Sequence, residues 1–357
     1  MSDAPLAIDD DPHRPPSPPG RRKRRWFWPV LIVALVAGAG LLCVGVIALA
    51  VVGSQLASQQ PPLLVQEVEA GSGERRILQI DLRGVISGEG DSSPFAGPAM
   101  VPAIRRQLRA AVEDERIAGV LLVIDSPGGG VTASDVLHHE LQELRRSGKE
   151  LVVHMGAVCA SGGMYLAAAA DEVIALPTSI TGSIGVIMTH VDASELLDQH
   201  LGIHNQAIKS GPLKDIGSMS RPMQPAERDL LQSIVDQLYD RFLTVVAEGR
   251  AGKAGVPGEL DDARSYLRPI ADGRILTAIE AHAAGLIDAI GYRDDAIARI
   301  RKRCELPNAP VIRYQSPGGL AELFGAQDRE LRLRTGFDDL VPRLRASGFA
   351  YLWSPGK

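Results

Sequence analysis

Gly156-Ala157-Val158-Cys159-Ala160-Ser161-Gly162-Gly163-Met164-Tyr165 is the stretch in which an apolar strand, residues 151–155, passes into an alanine-rich helix over residues 162–170. A serine at such a strand-to-helix turn presents its hydroxyl at the positive end of the helix, beside backbone amides that have no partner inside the helix. That is a seat for a nucleophile. The same residues also suit a tight turn closed by a capping serine, so the rest of the chain has to decide.

Working outward, short apolar runs alternate with amphipathic ones. On the amino-terminal side, residues 77–82 read as a strand, 101–115 as a helix, 119–125 (Gly-Val-Leu-Leu-Val-Ile-Asp) as a buried strand and 132–149 as an amphipathic helix. On the carboxy-terminal side, residues 186–191 and 203–208 read as strands around a helix over 193–201. Helices over 225–250, with Pro225 at the start, over 275–285 and over 295–303 follow. Buried strands that alternate with helices imply parallel βαβ units covered on both faces, an α/β fold.

The chain of 357 residues is 45% hydrophobic and 23% charged, enough for a sizeable core. Its net charge of −5 is distributed unevenly: residues 1–53 are net basic and the remainder net acidic, so the larger part carries no basic field for nucleic acid. Cys43, Cys159 and Cys304 show no paired spacing, which argues against a disulfide framework, and no metal or cofactor site is expected.

Residues 1–25, rich in Pro and Asp and closing on Arg21-Arg22-Lys23-Arg24-Arg25, read as a disordered cytoplasmic tail. The uncharged apolar run 26–53 makes a helix of about 42 Å, against a hydrocarbon layer of about 30 Å. It is too long for a signal-peptide core, so an uncleaved transmembrane anchor is expected, although Ala48-Leu49-Ala50 resembles a cleavage site. The basic block orients the amino terminus to the cytoplasm and the rest of the chain outside it, at the inner or cell membrane. Residues 54–75 read as a linker and 76–305 as the globular domain; the extension 306–357 is left without a role.

A serine nucleophile needs a base within hydrogen-bond reach. His154 and His190 are candidates, but neither has a carboxylate near it in sequence, and a Ser-His-Asp triad stays open without being nominated. Lys209 and Lys214 flank a Gly-Pro turn after a strand; a lysine partly buried beside a serine can lose its proton, since desolvation disfavours the ammonium ion. Both also suit a solvated loop. The polar loop 178–185 could orient a base. The glycines of Asp125-Ser126-Pro127-Gly128-Gly129-Gly130 would bring backbone amides close to a substrate oxygen, and no phosphate-loop pattern is present there.

Four blocks occur in order: Ser-Pro-Gly-Gly-Gly at 126–130, Ala-Ser-Gly-Gly-Met-Tyr at 160–165, Thr-Gly-Ser-Ile-Gly-Val at 181–186 and Lys-Ser-Gly-Pro-Leu-Lys-Asp-Ile-Gly at 209–217. Together they resemble the signal peptide peptidase A family of membrane-anchored serine peptidases. Gly273-Arg274-Ile275 and Gly285-Leu286-Ile287-Asp288 match its usual ending, so the resemblance spans residues 76–300.

The resemblance implies a crotonase/Clp-protease-like fold and a Ser/Lys dyad. Ser161 is the implied nucleophile, Lys214 the base, Ser183 the residue that orients the base, and the amides of Gly129 and Gly162 the oxyanion hole. Lys209 does not match the catalytic position. Met164 departs from the family's Gly-Gly-Tyr-Tyr, and Cys159 stands where a small residue is common. The implied substrates are hydrophobic unfolded peptides, among them signal-peptide remnants. The implied assembly is a homo-oligomeric ring in which neighbouring subunits contribute the serine and the lysine. A crotonase-fold acyl-CoA enzyme and an inactive membrane scaffold are the competing readings; intact Ser161, Ser183 and Lys214 stand against both.

Overall fold

The structure, a computed structural model, describes residues 31, 38, 40, 63–88, 100–315 and 350–352. The chain divides into two units, Met1–Pro62 and Leu63–Lys357. In the first, Leu31, Gly38 and Gly40 are helical, and the remainder of the expected tail and anchor lies outside the described residues. No helix among the described residues is long and apolar enough to cross a membrane.

The second unit runs β1 (Leu64–Glu69), β2 (Arg76–Arg83), α1 (Met100–Glu113), β3 (Ile117–Ser126), β4 (Gly128–Gly130), α2 (Val131–Arg146), β5 (Glu150–Ala160) and α3 (Gly162–Ala167). It continues with β6 (Glu172–Ala175), β7 (Ile180–Gly182), α4 (Pro225–Arg250), α5 (Leu260–Leu267), β8 (Ile275–Thr277), α6 (Ala278–Ala283), β9 (Ala289–Ile290), α7 (Arg293–Arg303), β10 (Val311–Gln315) and β11 (Ala350–Leu352). The main sheet is ordered β1-β10-β2-β3-β5-β6-β9, with β7 beside β5 and β8 beside β7. Pairing is parallel from β10 through β9 and between β5 and β7; β1 with β10 and β7 with β8 are antiparallel.

The period of two in the strands sorts side chains between two cores. Leu78, Ile80 and Leu82 of β2, with Val120, Leu122 and Ile124 of β3, enter the larger core beneath α1 to α4. Ile77 of β2, Leu121 of β3 and Val152 of β5 enter a smaller one against Ala296, Ile297 and Ile300 of α7. Burial on both faces is why β3 reads as a continuous apolar run, each such side chain contributing about 1.5–3 kcal/mol. The mainly parallel α/β architecture expected from the alternation is present.

Several local expectations need correction. Leu64–Glu69, in the stretch read as a linker, is an edge strand on β10, and Val311–Gln315, in the unassigned extension, is a parallel neighbour of β2. Neither could be recognised locally, because the side chains of the edge strand β1 are largely exposed, β10 is only five residues long, and each is specified by a partner more than two hundred residues away. The expected helix 275–285 divides into β8 and α6 at Thr277, whose side chain accepts from the Glu280 amide as an N-cap. The segment 186–208 holds neither of the two expected strands. The helix expected over 193–201 is present as a short helical stretch over 194–200, π-helical at Leu196–His200, and Ile203 and Ile208 are exposed.

Candidate active site

Ser161 occupies the turn between β5 and α3 with φ 54° and ψ −114°, a left-handed conformation that costs a non-glycine residue about 1–3 kcal/mol. What holds it there is hydrogen bonding on both sides. Its amide donates to the Gly182 carbonyl at 2.9 Å, and its carbonyl accepts from the Tyr165 amide at 2.9 Å. The side chain is almost wholly buried, and its hydroxyl has no hydrogen-bond partner among the described residues.

The register of β5 with β7 pairs Ala160 with Gly182, so Ser161 and Ser183 are the next residues on two adjacent parallel strands. Ser183 is also left-handed, at φ 49°, and its amide donates to the Arg274 carbonyl at 2.7 Å. The Gly273-Arg274-Ile275 block thus braces Ser183. Two strained serines side by side, each over-determined by its surroundings, are a feature of functional sites more than of structural turns.

Gly128-Gly129-Gly130 closes the site from the β3 side. The Ile86 amide donates to the Gly128 carbonyl at 2.8 Å and the Gly130 amide to the Ile86 carbonyl at 2.9 Å. Because polar groups alternate along an extended chain, the N–H and C=O of Gly129 point to the opposite edge. A Cβ on Gly129 would lie 2.0 Å from the Ile86 carbonyl oxygen, so only glycine fits this crossing. A Cβ on Gly162 would lie 2.6 Å from Ser134 Oγ and 3.2 Å from the Gly129 nitrogen, which shows how closely the two glycines meet. The resemblance implies that the Gly162 amide receives the oxyanion; Gly162→Ala keeps that N–H but displaces it, and on this implication kcat is expected to fall by about 10²–10³-fold, as when an oxyanion donor is removed. Far-ultraviolet circular dichroism should stay unchanged, and adding Ser134→Gly should restore part of the loss; full activity in Gly162→Ala would refute the arrangement.

The sulfur of Cys159 is buried and its thiol is pushed well up by that burial, so it is no competing nucleophile. Met164 is a core residue whose sulfur lies 3.6 Å from Thr181 Oγ1. Tyr165, the next residue, donates to Asp135 at 2.5 Å and packs edge-on against His138 and Phe242, which fixes α3 to α2 and α4.

His154 is not brought to Ser161. It shares the face of Val152 against α7, whereas α3 packs on the opposite face, and it lies before the irregularity in β5 that precedes the serine turn. Burial also lowers its pKa. His190 lies in irregular chain beyond Ser183.

The two lysines have different fates. Lys209 donates to Asp215 Oδ1 and to the Pro212 carbonyl at 3.1 Å; Lys214 is exposed, its amide donates to the Gly211 carbonyl at 3.2 Å, and its side chain makes no hydrogen bond or ion pair among the described residues. The structure does not place Lys214 against Ser161 of the same chain. Its loop is nonetheless anchored. Arg221 donates to both oxygens of Asp215, at 2.8 and 3.0 Å, and to both of Glu227, which also caps the start of α4 by accepting from the Gln224 amide at 2.9 Å. The Arg221 and Lys209 cations hold Asp215 far below the usual carboxylate range, and Arg221 with the Gln224 amide brings Glu227 to about 2. Sequence reading missed this brace. The Gln224-to-Glu227 capping box was a visible signal for the helix start, but nothing local joins Asp215 to it.

A strained serine on a strand-to-helix turn, next to clustered glycine amides in an α/β sheet, belongs to the class of serine hydrolases. Residues 143–306 match Peptidase family S49. The chain is 31% identical over 309 residues to a provisionally named signal peptide peptidase SppA of Enterococcus faecium, covering 82% of this chain and 85% of that one. It is 34% identical to Protease 4 of Salmonella typhi across 58% of this chain and 32% of that protein. It is 29% identical to the chloroplastic serine protease SPPA of Arabidopsis thaliana across 64% and 33%. The chain belongs to the signal peptide peptidase A family of serine peptidases, family S49. It spans about a third of the length of the last two relatives.

Proposed function

We propose that this protein is a membrane-anchored endopeptidase that cleaves hydrophobic, unfolded peptides, signal-peptide remnants among them, with a Ser161/Lys214 dyad. The observation that carries the reading is the left-handed Ser161 hydroxyl, held without a partner beside Ser183 and the paired glycines 129 and 162. Neutral Lys214 takes the Ser161 proton, the alkoxide attacks the peptide carbonyl, and the amides of Gly129 and Gly162 receive the oxyanion. The lysine then protonates the leaving amine, and water activated by the same lysine releases the acyl group. Ser183 Oγ orients the lysine.

In this reading Lys214 reaches the serine of a neighbouring chain in a homo-oligomer. Support comes from the segment that carries it: Ile187, Val191, Leu201, Ile203, Ile208 and Leu213 are all exposed, an apolar surface that the described residues of its own chain leave uncovered. The anchor at 26–53 and its basic flank would hold the domain at the outer face of the membrane.

The test is hydrolysis of short hydrophobic fluorogenic peptides by the full-length chain in detergent. Ser161→Ala and Lys214→Ala are each expected to lower kcat by about 10⁴-fold or more without altering assembly. Retained activity in Lys214→Ala would show that the base is another residue. An assembled but inert wild type would turn attention to acyl-CoA chemistry or a scaffold.

Arg221→Ala gives a milder expectation. With Asp215 and the buried Glu227 both left without their shared cation, the Lys214 loop loses its tie to α4. A fall in kcat of about 10–100-fold with KM nearly unchanged is the signature of a displaced base, and a parallel rise in KM would instead indicate a role in peptide binding.

A further inference from the structure

Just before the serine turn, β5 carries a bulge. Val152 to Met155 pair with β6, Val158 to Ala160 pair with β7, and against β3 the three residues Gly156, Ala157 and Val158 face the single residue Asp125. The extra length lets β5 leave one neighbour and take the next, the one that leads to Ser183. It also sets where the Ser161 turn begins, because the bulge ends at Val158 and only Cys159 and Ala160 lie between.

Asp125 lies across this bulge. Its Oδ1 accepts from the Val158 amide at 3.0 Å, and its own carbonyl accepts from the Gly84 amide at 2.9 Å, which fixes the backbone from which the carboxylate reaches. A Cβ on Gly156 would lie 3.0 Å from the Asp125 Cβ and 3.1 Å from its Cγ, so a glycine there leaves the carboxyl room to lie against the bulge. From the β7 side, Ser179 Oγ donates to the Gly156 carbonyl at 2.5 Å and Thr181 Oγ1 to the Cys159 carbonyl at 2.6 Å. Asp125 supplies the tie from the β3 side. It is also the residue from which β3 runs on through Ser126 into the Gly128–Gly130 strand, so one side chain joins the glycine half of the site to the serine half.

We propose that Asp125 is a positioning residue for catalysis: by holding the Val158 amide it fixes the Ser161 turn relative to Gly129 and Ser183. The proposal rests on the peptidase reading for the reaction and on the bulge for the geometry. Asp125 touches no reacting atom; it acts through Val158 and the backbone that leads to Ser161. What the position requires is an acceptor oxygen at one place rather than a charge, which separates this role from that of an acid, a base or an electrostatic partner.

The experiment compares full-length Asp125→Asn, Asp125→Ala and Gly156→Ala in detergent, with short hydrophobic fluorogenic peptides as substrate. Asp125→Asn keeps an acceptor oxygen and is expected to retain most of the wild-type kcat. Asp125→Ala is expected to lower kcat by about 10–100-fold with KM nearly unchanged, the mark of a displaced nucleophile rather than of weaker binding. Gly156→Ala pushes the carboxylate away and should give a fall of the same kind, and the double variant should fall no further, since both changes break one contact. The urea midpoint of Asp125→Ala is expected to stay near that of wild type, because water takes the place of the carboxylate at the half-buried Val158.

The rate at which a fluorophosphonate labels Ser161 follows the serine without needing a peptide, and it should fall with kcat in the same variants. Wild-type kcat and labelling in Asp125→Ala overturns the positioning role, as does an Asp125→Asn that is as slow as Asp125→Ala or a double variant whose loss is the product of the two. A rise in KM at unchanged kcat overturns it as well, by moving Asp125 to the peptide-binding surface. The expected labelling pattern in a protein that hydrolyses no peptide keeps the positioning role and refutes the peptidase reading instead.

Discussion

Chains carrying Ser161→Ala, mixed with chains carrying Lys214→Ala and allowed to exchange subunits, are expected to regain about one quarter of wild-type activity, although each parent is inert. The fraction follows from random assembly in a closed ring, where a site is complete only when the serine of one chain and the lysine of its neighbour are both intact. The motive is geometric. Ser161 is buried with its hydroxyl unpartnered among the described residues, while Lys214 sits on an exposed loop whose apolar residues the described part of the chain leaves uncovered. A dyad within one chain would instead leave every mixed site inactive. Zero recovery after exchange has been demonstrated by labelled subunits would therefore refute sharing. The expected gain, from a background about 10⁴-fold lower, is large enough that trace wild-type contamination can be distinguished by its failure to scale with mixing ratio.

Arg250→Ala is expected to destabilise the fold by about 3–5 kcal/mol, a large part of the 5–15 kcal/mol a domain usually has. Arg250 is wholly buried at the end of α4. Its guanidinium grips Asp288 through both oxygens, at 2.7 and 2.9 Å, and its Nε donates to the Gly285 carbonyl at 2.7 Å. Asp288 also accepts from the Val173 amide at 2.8 Å, so one pair joins α4, the turn after α6 and β6. Loss of the arginine leaves a mostly buried carboxylate without its counter-charge. The urea midpoint should fall accordingly, and Arg250→Met with Asp288→Asn should recover part of it, because the charge goes with its partner. Burial alone would raise the Asp288 pKa, but the Arg250 hydrogen bonds and charge outweigh it and hold the carboxyl below its ordinary value. A depressed folded-state pKa stabilises above the unfolded value, about 3.9, and that contribution is lost as pH falls through the folded one. Wild type should therefore show an acid loss of stability below about pH 4 that Arg250→Ala lacks; equal midpoints for the two proteins would exclude this role.

The Gly285-Leu286-Ile287-Asp288 block thus acquires a structural reason for its place in the family pattern. It presents a carbonyl and a carboxylate to one buried arginine thirty-five residues earlier. In the same way Gly273-Arg274 supplies the carbonyl that holds Ser183.

What the amino-acid sequence determined by itself was whatever local chemistry dictates. Runs such as residues 119–125 and 151–155 are strands because continuous apolar residues fit a sheet buried on both faces, and Pro225 marks the start of α4 because the first helical turn needs no amide from proline. The four ordered blocks identified the family in the same local way. Only the tertiary structure decided which residues separated in sequence become neighbours. It set Ser161 beside Ser183 through a parallel register, excluded His154 by strand parity, tied the Lys214 loop to α4 through Arg221, and laid residues 350–352 along Gly128–Gly130. Short or edge strands such as β1, β10 and β11 were unreadable in advance for a physical reason: their stability comes from backbone hydrogen bonds to distant partners, and those bonds leave no periodic trace in side chains.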